Sequence, residues 1–276
     1  LSFAALPLLI LSVLPQLAGC GSPGQPVAPG PLVATPVSDL SARQAGDGVE
    51  VTFTMPSNSI AGEHLVSRPA VEILRGTVKP DGSPDLKSLR VVDTIPGSLT
   101  NKYLLENEFQ FIDPIAPQEI KSHSGAPVVY SVRTRLSPKR ASANSNLITL
   151  HIFSVPERIA SVEVHVTELA IELSWPAVNH TSAGDPLTSS PSYNIYRAEL
   201  DSAAAETAKN DATQLKLNSS NLQLLAGQPE TTYSDKSFEF GKTYAYIVRS
   251  VLTVDSTTIE SADSTPAIIT PRDIFP

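Results

Sequence analysis

The 276-residue chain has one cysteine, so it cannot form an intramolecular disulfide or a zinc site built from cysteines. Its five histidines are His64, His123, His151, His165 and His180, and no two stand four residues apart, which excludes a His-x-x-x-His zinc helix. No Gly-x-Ser-x-Gly elbow and no glycine-rich phosphate loop occur, and the carboxylates lack the alternating spacing of a calcium-binding loop. Basic residues are few: 20 Lys and Arg stand against 28 Asp and Glu, for a formal net charge of −8. Nucleic-acid binding needs clustered cations to neutralise phosphates, so no nucleic-acid partner is expected. No catalytic residue, metal ligand or cofactor site is expected either, and the chain reads as something other than an enzyme.

What is present begins with an apolar run from Leu1 to Leu17, interrupted by Pro7 and Pro15. Prolines at these positions disfavour a membrane-spanning helix, and no basic stop-transfer cluster follows. The run suits the apolar region of a signal peptide over residues 1–19. It ends in Leu17-Ala18-Gly19-Cys20. This tetrapeptide resembles a bacterial lipobox. The resemblance implies cleavage between Gly19 and Cys20, a diacylglycerol thioether on the Cys20 sulfur, acylation of the new amino terminus, and hence the membrane as a partner. It implies a cell-envelope location, with Gly21 after the cysteine favouring the outer membrane of a Gram-negative cell. No Met and no basic residue precede the apolar run, so truncation at the start is expected; Pro271-Arg-Asp-Ile-Phe-Pro276 reads as a linker, which leaves a further domain beyond it open. Residues 20–36 are dense in Pro and Gly and read as a tether, reaching at most roughly 50 Å at about 3.1 Å per residue.

The remainder holds a degenerate repeat. Val49-Glu-Val51-Thr-Phe53-Thr-Met55-Pro56 alternates apolar and polar residues, and Leu169-Ala-Ile171-Glu-Leu173-Ser-Trp175-Pro176 repeats the pattern. Val71-Glu-Ile73-Leu-Arg75 is answered by Tyr193-Asn-Ile195-Tyr-Arg197, and Phe111-Ile-Asp113 by Tyr233-Ser-Asp235. Val128-Val-Tyr130-Ser-Val132-Arg133 is answered by Tyr244-Ala-Tyr246-Ile-Val248-Arg249, and Ser142-Ala-Asn-Ser145 by Ser261-Ala-Asp-Ser264. Short alternating strands between turn-rich loops predict antiparallel sandwiches. Asp113 and Asp235 recur at one position; an Asp capping a turn through its own backbone is preferred there over a metal or acid site. The insertion from Asp201 to Leu217 lacks an apolar stripe and predicts a loop with about one helical turn.

Residues 157–272 resemble a fibronectin type III domain through Trp175, Tyr193-Asn-Ile-Tyr-Arg197, Thr231-Thr-Tyr-Ser-Asp235 and Thr243-Tyr244-Ala-Tyr246-Ile-Val-Arg249. The resemblance implies a core built on Trp175, Tyr193, Tyr244 and Tyr246, with Tyr244 as the corner tyrosine whose hydroxyl bonds nearby backbone. Residues 37–155 resemble a divergent copy in which Met55 and Val128 replace the tryptophan and the corner tyrosine, and a different sandwich stays open there. The expected fold is all-β, two tandem immunoglobulin-like antiparallel sandwiches after a signal peptide and a Pro-rich linker. The expected function is a lipid-anchored, non-enzymatic envelope module for binding, spacing or adhesion, with an envelope protein or glycan as partner. The alternative is an accessory portion of a larger surface enzyme such as a glycoside hydrolase.

Overall fold

A computed structural model describes residues 32–210, 215, 222–254 and 256–273. Gly19 and Cys20 lie outside the described residues, as do the expected signal segment and most of the expected tether. The fold is all-β, with antiparallel sheets arranged as two sandwiches.

The first sandwich is built from β1 (Ser41–Gln44), β2 (Gly48–Thr54), β3 (Ala70–Thr77), β4 (Arg90–Ile95), β5 (Leu104–Leu105), β6 (Glu108–Pro114), β7 (Ala126–Ser137), β8 (Arg140–Ala141) and β9 (Ile148–Ile152). One sheet has the order β1-β2-β6-β5; the other runs β4-β3-β7, with β8 and β9 both paired to β7. The second sandwich repeats this plan with β10 (Glu163–Val166), β11 (Ile171–Ser174), β12 (Ser192–Leu200), β13 (Gln223–Gln228), β14 (Thr232–Asp235), β15 (Thr243–Val254), β16 (Thr257–Glu260) and β17 (Ala267–Ile269). Its sheets are β10-β11-β14 and β13-β12-β15-β16, with β17 also on β15.

The period-two pattern decides which side chains enter each core. In β2, Val49, Val51 and Phe53 are buried and alternate with half-buried Glu50 and Thr52. In β11, Ile171 and Leu173 do the same. Both cores contain an aromatic pair. Trp175 meets Tyr193 edge-on at 5.6 Å in the second sandwich, and Phe53 stacks on Phe109 at 4.9 Å in the first. Met55 is buried at the position matching Trp175, so the first core keeps an apolar filler there without an indole.

The recurring Ser-x-x-Ser segments fill a gap in strand pairing. On the edge of β7 away from β3, β8 lies against one part and β9 against another, and among the described residues no strand pairs with the stretch between on that side. There, the N–H groups of Val132 and Thr134 donate to Ser145 Oγ and Ser142 Oγ at 2.9 and 3.0 Å. The serine N–H groups return bonds to the carbonyls of Val132 and Thr134, both at 2.8 Å. On β15, Ser264 and Ser261 serve Val248 and Ser250 in the same way, each Oγ accepting at 3.0 Å. The side-chain oxygen takes the place of a strand carbonyl, so buried backbone donors stay satisfied across the break.

Three segments differ from expectation. The insertion after β12 contains α2 (Ser202–Asn210), a nine-residue helix in place of a loop with one turn. Asp201 Oδ1 caps it by accepting from the Ala204 N–H at 2.7 Å. Ala205 and Ala208, three apart, pack on Ala198, Leu200 and Ala245, so the buried stripe is made of alanines and is narrow. A second helix, α1 (Pro117–Ser122), begins with the residue type best suited to a first helical position and buries Ile120. At the amino-terminal side, Ala34 is buried and bridges Ser59, while Thr35 N–H donates to Asn58 O and Ile60 N–H to Val33 O, both at 2.9 Å. The Pro-rich segment therefore meets the sandwich at Val33, ahead of the expected boundary at Pro36.

Candidate functional site

The recurring aspartates lie in two copies of one buried cluster. Asp113 belongs to β6 in one sheet, and Arg75 (β3) and Tyr130 (β7) to the facing sheet. Tyr130 donates its hydroxyl to Asp113 Oδ2 at 2.6 Å, and Arg75 Nη1 lies 3.4 Å from the same oxygen. In the second sandwich Asp235 (β14) receives Tyr246 Oη and Arg197 Nη1, both at 2.7 Å. Each cluster ties one sheet to the other.

The two copies differ electrostatically. Burial, helped by the Asp93 and Glu119 carboxylates, pushes the Asp113 carboxyl above its ordinary pKa, while Tyr130 and Arg75 pull the other way. Burial acts on Asp235 too, but Tyr246, the Ser237 hydroxyl and N–H, and Arg197 together hold it below the ordinary value. The Ser237 bonds, at 2.7 and 2.8 Å, are an Asp turn of the kind expected from sequence. At Asp113, the carboxylate bonds described are to Tyr130 and Arg75 instead. Both tyrosine hydroxyls are pushed up, first by burial and then by the adjacent carboxylate, so they hold their protons. A carboxylate bonded by a phenol and a guanidinium from the facing sheet fastens the two sheets together. Among the described residues no group of three or more His, Cys, Asp or Glu side chains is placed to hold a metal.

Trp175, Tyr193, Tyr244 and Tyr246 all lie in the second core. Tyr193 Oη accepts from the Val178 N–H at 3.1 Å, while Trp175 Nε1 has no acceptor among the described residues. Tyr244 Oη accepts from the Glu239 N–H at 3.0 Å, pinning the turn before β15. Arg197 covers the Tyr244 ring, its guanidinium carbon 5.0 Å from the ring centre. Removing only that hydroxyl, in Tyr244→Phe, is expected to cost about 1 kcal/mol, read as a lower urea midpoint of the Trp175 fluorescence transition.

The sandwiches touch at a junction with polar and apolar parts. Gln44 bonds both backbone groups of Phe153, at 2.8 and 3.0 Å, and so holds the connecting segment against β1. Ser182 donates its hydroxyl to Asp47, and Lys121 Nζ lies 2.7 Å from Asp185. Gly46, at φ +57, sits where a Cβ would come within 2.9 Å of three Ala262 atoms, so the close approach requires glycine. Phe153 and Val155 of the connector form an apolar cluster with Ile259.

Exposed strand edges are a further surface feature. β4 and β13 each end a sheet, with one strand neighbour apiece among the described residues. Val91 is 42% exposed on β4 and Leu224 is 53% exposed on β13. An outer strand with unpaired backbone groups and exposed apolar side chains is the geometry that accepts an added strand. Neither strand belongs to the recurring segments that marked the repeat: β4 lies between the Arg75 and Phe111 segments, and β13 follows the insertion.

No protein-family model matches the chain, and no curated protein matches it. Solved structures similar to it include a segment of two fibronectin type III domains from chicken tenascin, with 13% identity, a TM-score of 0.28, and coverage of 85% of this chain and 98% of that one. Another is the FN1–FN3 portion of chicken CNTN1, with 15% identity, a TM-score of 0.32, and coverage of 87% of this chain and 69% of that one.

Proposed function

We propose that this chain is a non-enzymatic, lipid-anchored module of the bacterial cell envelope, which presents tandem fibronectin type III-like sandwiches to a protein or glycan partner. The observation that carries the anchor is Leu17-Ala18-Gly19-Cys20 directly after an apolar run, with Cys20 the only thiol in the chain. Several acyl chains at one residue give a durable hold, since each buried methylene contributes about 0.8 kcal/mol and one chain alone is marginal. The binding role is supported by the open edges of β4 and β13, and the spacer role by two sandwiches in series. The Asp113 and Asp235 clusters each tie one sheet to the facing one, which supports a structural role for the recurring aspartates.

The anchor is tested by the intact mass of full-length protein extracted from bacterial membranes. The expected product starts at Cys20 and carries the added mass of its acyl chains. Cys20→Ala is expected to move the protein from the membrane pellet to the soluble fraction. An unmodified Cys20 in membrane-extracted protein overturns the reading.

A further inference from the structure

The first sandwich has an opening where the second has a side chain. Val128 on β7 pairs with Thr77 and Leu150, and Tyr244 on β15 pairs with Glu199 and Ile269. Two residues further on, Tyr130 pairs with Arg75 and Tyr246 with Arg197, so Val128 occupies the register position of Tyr244. In the second sandwich the Tyr244 ring fills that position beneath the Arg197 guanidinium. In the first, a cavity of about 310 Å³ opens there, with Arg75 in its wall beside Ile115, Ile120, Val128 and Ile152.

We propose that this cavity binds a small monocyclic aromatic of the phenol class, with its ring in the space that Tyr244 takes in the second copy. The volume suits it: an apolar cavity of about 150 Å³ holds benzene, and ligand pockets begin at about 300 Å³. The walls suit it too, with aliphatic side chains from β7, β9 and the α1 segment around the ring. Arg75 is held in the wall by Asp113 at 3.4 Å and Glu119 at 3.6 Å, where its cation attracts a π-face. The lining also includes the polar side chains of Ser88, Glu119 and His123, any of which gives the hydroxyl of a phenol a hydrogen-bonding partner. The fold thus contains its own analogue of the complex: the phenol side chain of Tyr244, covalently attached, in the equivalent niche.

The test is a titration of the ¹⁵N-labelled full chain with p-cresol, the side-chain analogue of tyrosine, followed by amide chemical shifts. Expected are saturable shifts confined to Gly76, Thr77, Ala126, Val128 and their neighbours. Affinity for 4-methylcyclohexanol, which matches the size but has no π-face, is expected to be at least about 3-fold weaker. Val128→Tyr and Val128→Phe, which each supply a ring from within, are expected to abolish the shifts. The proposal is overturned by no saturable shift up to the solubility limit of p-cresol, by shifts elsewhere in the chain, by equal affinity for the saturated alcohol, or by undiminished binding in folded Val128→Tyr or Val128→Phe. The wild-type titration decides the matter even where a variant does not fold. Lipidation of Cys20 plays no part in it, so this proposal and the anchor stand or fall separately.

Discussion

Asp235→Ala is expected to destabilise the second sandwich by about 3–5 kcal/mol, the usual cost of removing one partner from a buried ion pair. The Asp235 side chain is 1% exposed and accepts from Arg197, Tyr246 and Ser237. Its loss leaves a phenol hydroxyl buried without an acceptor and a guanidinium without its carboxylate. Asp113→Ala is expected to cost less, about 1–3 kcal/mol, because its arginine is further away and no serine supports it. Trp175, the only tryptophan, lies in the second core, so its fluorescence in urea reports the Asp235 effect directly. Circular dichroism follows both sandwiches. Equal losses for the two variants would show that the two clusters do the same work despite their different surroundings.

The same pair sets opposite responses to acid. Asp235 has its folded pKa depressed, so its contribution is present above the unfolded value near about 3.9 and is lost as pH falls through the folded value below that. Asp113 has its folded pKa raised, so its contribution is present below about 3.9 and is lost as pH rises through the folded value. Between pH 7 and pH 3, Asp235→Asn is therefore expected to flatten the acid loss of stability of the second sandwich. Asp113→Asn is expected to raise the stability of the first sandwich at pH 7 relative to pH 3.

The second large effect is expected from the double substitution Ser261→Ala with Ser264→Ala. Each serine is 2% exposed, and each Oγ is the acceptor for a buried N–H of β15. Alanine leaves the N–H groups of Ser250 and Val248 unsatisfied, at about 1–3 kcal/mol each, so the pair is expected to cost about 2–6 kcal/mol. Hydrogen exchange locates the loss. Protection is expected to fall first at Val248 and Ser250, ahead of the rest of β15. Uniform loss along the strand would mean that the serines act through packing alone.

These sites explain how much of the molecule was legible. The repeat stood out because both copies keep the same side chains for the same structural tasks. Arg75 and Arg197, Asp113 and Asp235, and Tyr130 and Tyr246 recur because each triad spans the two sheets, and the paired serines recur because each bridges a break in pairing. Sequence order exposed the recurrence but not its purpose, since the partners are separated by as many as 38 residues. The α2 helix was missed because alanines at positions 205 and 208 bury little area, which leaves no visible stripe. The α1 helix was missed because one buried isoleucine in six residues makes no periodicity. The replacement of Tyr244 by Val128 was visible in the repeat, yet a missing side chain becomes a cavity only when its neighbours do not close in. That depends on how Ile115, Ile120 and Ile152 pack, and no spacing encodes it.

The docking of Ala34 on Ser59 bears on how the first sandwich meets mechanical load. Tension entering from the amino-terminal side reaches the Val33–Ile60 and Thr35–Asn58 backbone bonds before any strand of the sheets. Two bonds of this kind give way under less force than a full strand ladder. The next polar holds are Asp39, whose carboxylate accepts from the Thr54 N–H at 3.1 Å, and Leu40, whose backbone N–H and carbonyl both bond the Asn146 side chain at 2.9 Å. Peeling the chain from Val33 as far as these holds releases about 20 Å, at about 3.4 Å per residue, while β1 and β2 stay paired. The sandwich thus carries a short sacrificial extension at its entry, which gives up Ala34 and the core side chain of Val37 before the paired strands are asked to resist.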